Sequence, residues 1–137
     1  MYTSAIKSGM RYLAASIVIA AAAAVYGLFS HGVYSYFMTY AFMIPLLAGA
    51  LPHLMAALSM ACGKRGGSLY EKMTCVKDLQ LAMVVTLTVG SLLKGALDIY
   101  GTTNRLLIVY PAAAALILAA AAVVIRSGKI SAVLKNK

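Results

Sequence analysis

Lys94, Asp98 and Arg105 are charged residues set among apolar ones, and their spacing lets them act together. Lys94 and Asp98 are four apart and share one helical face, while Arg105 follows across a turn too short to carry it far away. At 1.5 Å per residue Lys94 lies about 6 Å deeper than Asp98, so its ammonium sits below the membrane interface unless its stem snorkels outward. Two cations outweigh one carboxylate, a balance suited to a small polar or anionic solute or an ion. The plainer alternative is a structural Lys94–Asp98 pair with Arg105 at the headgroups. Charge within hydrocarbon is costly, which makes a functional site the first hypothesis for such residues. His31, at the same end of the molecule, is a candidate fourth member.

A second constellation is Pro45, Gly49, Pro52 and His53. Each proline removes a donor and displaces the carbonyl four residues back, so those of Ala41 and Ala48 are expected to lose their partners. A discontinuous helix of this kind can line a solute path, although kinks that serve packing alone are commoner. Thr39, Thr86, Thr88 and Ser91 are the polar groups available to satisfy those carbonyls or line a path. If the second apolar helix is continuous, His31 and His53 stand about 33 Å apart, which excludes a haem ligated by both within one chain. A haem on His31 with Met38, or on equivalent histidines of a dimer, remains as an alternative, as does a quinone near His31. For His53 a packing role is the favoured reading.

Other chemistries lack their residues. Cys62 and Cys75 form neither a CxxC nor a cluster with histidine, so no metal site is expected, and no disulfide beside a cytosolic loop. Gly63-Lys64-Arg65-Gly66-Gly67 lacks the spacing of a phosphate-binding loop, and no nucleophile with a base is visible. No acid lies deep in an apolar run, which disfavours a proton-coupled multidrug exchanger. The net charge of +9 comes from Lys and Arg flanking apolar runs rather than from a stripe with aromatics, which argues against nucleic acid.

The elements that must position these residues are membrane helices. From Arg11 to Lys64 there are 52 residues without Asp, Glu, Lys or Arg, and four apolar stretches are long enough to cross about 30 Å of hydrocarbon. They are 6–29, 33–61, 79–99 and 106–125. Backbone groups in lipid must be satisfied within the segment, so helices are predicted, paired as two antiparallel hairpins in one all-α domain over 1–137. Lys7, Arg11, Lys64, Arg65, Lys72, Lys77, Arg126, Lys129, Lys135 and Lys137 then fall on one side, which puts both termini in the cytosol. The apolar run from Tyr12 to Ser30 exceeds a usual signal-peptide core, so a retained span is expected. Tyr26, Phe29, Tyr34, Tyr36, Tyr100 and Tyr110 would form an outer aromatic belt.

Ser68 to Glu71 reads as a capping box opening the third helix, and Gly101 as the glycine that stops it. Thr103 or Asn104 should cap the fourth, bent by Pro111 near the end of its second turn. Alanine runs at 20–24, 112–115 and 119–122 allow close helix approach, for packing within the chain or in a homo-oligomer. The stretches His31 to Ser35 with Pro45 to Pro52, and Thr86 to Gly95 with Gly101-Thr102, resemble an uncharacterised family of small four-helix membrane proteins from Gram-positive bacteria. That resemblance implies a bacterial cell membrane and no particular activity. The expectation is a protein that binds or transports a small solute, with Lys94, Asp98, Arg105 and His31 as its outer site and Pro45, Gly49, Pro52, His53, Thr86 and Ser91 along its path. The alternatives are an accessory subunit of a larger membrane complex and a haem or quinone redox subunit.

Overall fold

A computed structural model describes residues 2–30, 33–62 and 66–134, and every element in it is helical. Helix α1 (Tyr2–Phe29), α5 (Lys77–Ile99) and the helical run Arg105–Ser127 are long and apolar enough to cross a membrane. That is the composition of a helical membrane protein. Between α1 and α5 lie a single turn, α2 (Tyr36–Thr39), a π-helical segment Pro45–Ala50, the shorter apolar α3 (Leu51–Ala61) and α4 (Gly66–Cys75). A 3-10 turn, Arg105–Ile108, leads into α6 (Val109–Leu134).

The second apolar stretch is therefore not one helix from 33 to 61. Residues 33–35 are irregular, with Ser35 extended, α2 gives way to turns, and Pro45 opens a π segment in which the Leu51 N–H reaches back to the Leu46 carbonyl. Pro45 and Pro52 deny the ladder two donors only seven residues apart, and the wider π register absorbs the mismatch. The freed carbonyls find partners elsewhere, as burial in lipid demands. Gln80 Nε2 donates to the Ala48 carbonyl at 2.9 Å, replacing the N–H that Pro52 lacks. Ser91 Oγ donates to the Phe37 carbonyl at 2.7 Å, and Ser16 Oγ adds a bond of 2.8 Å to the Phe42 carbonyl, which also accepts from the Leu46 N–H at 3.3 Å. The Ala41 carbonyl, expected to be stranded, instead accepts from the Ile44 N–H at 3.2 Å.

The helices form an open row. On one flank α1 packs against the π segment and α3, and on the other α6 packs against α5 as an antiparallel hairpin. Ala5, Gly9 and Ser16 make the buried stripe of α1, recurring at helical spacing. The interior is built from small residues: Ala41, Ala50, Ala56, Ala57 and Ala114 are buried, and the bulkiest fully buried side chain is Pro45. Small residues bring backbones close enough for dispersion and hydrogen bonds to hold helices together where lipid supplies no hydrophobic drive. Only 6% of the apolar window is buried in α1, and the same share in the Arg105–Ser127 run, so both flanking helices turn most of their surface outward.

The ends of α5 and α6 are written in local sequence. Gly101 adopts φ +71°, its N–H bonds the Asp98 carbonyl at 3.2 Å, and the Thr102 N–H bonds that of Leu97 at 3.0 Å, a complete Schellman stop. Asn104 Oδ1 then accepts from the Leu106 N–H at 2.9 Å and caps the 3-10 turn. Pro111 lies in the first α-helical turn of α6, directly after the 3-10 turn Arg105–Ile108, and so in the second turn of the helical run, as expected. Helix α4 starts at Gly66 and already contains Ser68, so the expected cap lies inside a helix. A break at Val76 (φ −116°, ψ 15°) separates α4 from α5. Phe29, Tyr34, Tyr36 and Tyr100 are exposed as belt residues should be, whereas Tyr110 packs over Gly90.

Candidate functional site

Ser91, Lys94, Gly95 and Asp98 recur on one face of α5 and grip the turn α2 from end to end. Ser91 takes the Phe37 carbonyl, and Lys94 Nζ stands 4.5 Å from the centre of the Phe37 ring. Gly95 admits the backbone of Met38: a β-carbon there would come within 2.8 Å of the Met38 nitrogen. Asp98 Oδ2 accepts from Ser35 Oγ at 3.1 Å, and Asp98 Oδ1 pairs with Lys94 Nζ at 3.4 Å. Lys94 and Asp98 are thus held by a cation–π contact, a hydroxyl and each other. Their side chains stay 40% and 30% exposed, which leaves donors of the ammonium free for a further partner.

That partner's space is a groove of about 720 Å³ between α5, the beginning of α6 and the broken stretch. Its volume lies in the range of small-molecule sites. Lys94, Ser91, Asn104 and Arg105 line one end, and Ile44, Leu87, Leu107 and Pro111 line the remainder. Arg105 reaches the groove because the Schellman stop and the Asn104 cap turn the chain within five residues. Lys94 and Arg105 therefore share one concavity, with Asp98 as the acid paired to it. A crevice on the other side of α2, bordered by Tyr26, Ser35 and Met38, holds only about 10 Å³.

At the opposite end of α5 the chain is packed shut. Gly49 lies against the Tyr12 ring, so closely that a β-carbon would come within 2.3 Å of it. His53 stacks on Tyr12 with centroids 5.7 Å apart and planes 12° from parallel, and meets the edge of Tyr70 at 6.3 Å. It is 4% exposed, and its Nδ1 has no hydrogen-bond partner among the described residues. Gln80 holds the adjoining Ala48 carbonyl.

The structure brings Lys94, Asp98 and Arg105 to one end, as their spacing implied, and sets Ser91, expected along the path, beside them. Pro45, Gly49, Pro52 and His53 do not line the groove: Pro45 is sealed inside and Gly49 is covered by Tyr12. Thr86 is half-buried beside the lining residue Leu87 and is not itself in the lining. Thr39 and Thr88 bond carbonyls four residues back, those of Ser35 and Val84, rather than any stranded by proline. His31 lies outside the described residues, and Met38, its haem partner in the alternative reading, packs against Gly95. Cys62 and Cys75 are free and exposed.

Sequence reasoning missed Ser16, Ser35, Phe37, Tyr12 and Gln80. Gln80 carried a usable signal, a lone amide in an apolar helix of a chain with two stranded carbonyls. The others depend on contacts between residues 26 to 63 positions apart, which no local pattern announces. Compared with known protein families, characterised proteins and solved structures, the chain finds no match.

Proposed function

We propose that this protein crosses a bacterial cell membrane four times, with both termini inside, and binds a small polar or anionic solute at its outer face. The one-sided basic residues support the orientation through the positive-inside rule. The broken stretch supports the fourth crossing. It touches Asp98 through Ser35 and Gln80 through Ala48, and those two residues of α5 are separated by about 27 Å at 1.5 Å per residue.

The observation that carries the binding reading is that Lys94 and Arg105 line one groove while only Asp98 offsets them. Titration of protein in nanodiscs with inorganic phosphate and acetate, followed by ligand-induced rise in melting temperature, tests it. Arg105→Gln should weaken anion binding about tenfold, the value of one charge-assisted hydrogen bond. Saturable binding that is indifferent to Arg105→Gln would refute the site. Movement of solute across the bilayer is read separately, as flux in proteoliposomes.

A second reading rests on a different observation. The outward faces of α1 and α6 are almost unburied and rich in alanine, which suits a homo-oligomer or an accessory subunit resting on a partner. Crosslinking in membranes with cysteines on those faces distinguishes it: bands above the monomer favour assembly, and monomer alone in the native membrane removes it.

A further inference from the structure

Resting on that solute-site reading, we infer that the groove's occupant is an anionic phospholipid of the outer leaflet, its phosphate between Lys94 and Arg105 and an acyl chain running down toward Leu87. The groove's polarity runs in the same direction as a lipid's. Its outer end carries Lys94, Asn104 and Arg105, and its deeper walls are Ile44, Leu87 and Pro111. Lys94 and Leu87 are seven residues apart on α5, so the groove runs about 10 Å along that helix, polar as far as Ser91 and apolar beyond it.

A small water-soluble anion has no use for that depth, and filling it with water against apolar walls is unfavourable. An acyl chain fills it and keeps the headgroup at the level of the cations. The charges match as well. The guanidinium fork of Arg105 suits phosphate oxygens, Lys94 retains free donors beside Asp98, and one anion brings the cluster to neutrality. A transmembrane helix from a partner would fit the apolar part, but it would need its own acid at the level of Arg105.

Native mass spectrometry of the purified chain provides the test, with dioleoyl phosphatidylglycerol and dioleoyl phosphatidylcholine in competition and glycerol 3-phosphate as the soluble headgroup probe. Phosphatidylglycerol should be retained at least tenfold over phosphatidylcholine, and Arg105→Gln should remove most of that preference. Leu87→Trp, which fills the lower groove, should lower retention of both lipids in protein that stays monodisperse. Equal retention of the two lipids, or a preference that survives Arg105→Gln in full, overturns the inference. Glycerol 3-phosphate binding without phosphatidylglycerol retention overturns the lipid inference and leaves the solute site standing. Binding of neither overturns both. A co-purified protein that protects Ile108→Cys from thiol labelling in lipid-free sample would also overturn it, in favour of a partner helix.

Discussion

The two ends of the broken stretch are held by opposite means. At the end proposed to be outer, α2 is gripped by charged and hydroxyl side chains that stay part-exposed and border a cavity of about 720 Å³. At the end proposed to be inner, the segment from Gly49 to His53 is held by a neutral amide and aromatic rings, close-packed around them. Both ends solve the same problem, carbonyls left without donors where the helix breaks. Only the outer solution leaves ionised groups beside open space. The difference is what supports the proposed binding at the outer end: a clamp that needed only to hold the backbone could have been neutral throughout, as the inner one is.

The strongest way to break the outer clamp is to fill its glycine. Gly95→Ala puts a β-carbon against the Met38 backbone, which cannot swing aside, whereas at Gly49 the obstacle is the Tyr12 side chain. Overpacking costs about 1–3 kcal/mol, and Gly95→Ala should fall at the upper end, Gly49→Ala below it. Gly27→Ala has nothing within 4 Å of the added atom and serves as the control. Melting temperatures in detergent report the order; a Gly95 variant as stable as the Gly27 variant would mean that α2 is not seated on α5.

Next in size is the amide. Gln80→Leu keeps the bulk and leaves the Ala48 carbonyl unpaired, at a cost of about 1–2 kcal/mol. Ser91→Ala should cost less, about 0.6 kcal/mol, the average for a hydrogen bond between membrane helices. Equal losses would say that the two ends are interchangeable supports.

How much of this was legible depends on whether the signal was local. The helix stop at Gly101, the Asn104 cap and the shared face of Lys94 and Asp98 follow from residues within a few positions of one another, and all three appear in the structure. The prolines announced a break, and Ala48 was identified as a stranded carbonyl. Its partner was not, because Gln80 is 32 residues away and an amide in an apolar helix looks the same whether it packs, bonds or binds. The groove was illegible for the same reason: Lys94 and Arg105 were placed together, but its depth is made by Ile44 and the α5–α6 packing. His31 falls outside the described residues, so its place in the outer cluster rests on the sequence alone.

A smaller effect separates clamp from binding site at the same residue. Asp98→Asn keeps an acceptor for Ser35 and removes the charge that offsets Lys94. The pair is partly exposed, so stability should fall by no more than about 1 kcal/mol. Anion affinity should move the other way: with the carboxylate gone, the net positive charge of the cluster rises by one unit, and binding should tighten several-fold, more at low salt than at high. Weaker anion binding in Asp98→Asn would mean that Asp98 contacts the ligand rather than merely restraining Lys94.

The smallest expected effect falls on the inner end and bears hardest on the contrast. His53 Nδ1 is buried without a partner among the described residues, a state that costs free energy unless the imidazole has another use. His53→Phe preserves a flat ring against Tyr12 and Tyr70 and removes the stranded nitrogen. If the inner end is packing alone, the variant should be unchanged or up to about 1 kcal/mol more stable, with anion and lipid binding at the outer groove unaltered. A variant that folds as well as the parent yet loses flux in proteoliposomes would place function at both ends. The two ends would then be joined by a path that opens only in another conformation, since Pro45 and Gly49 close it in this one.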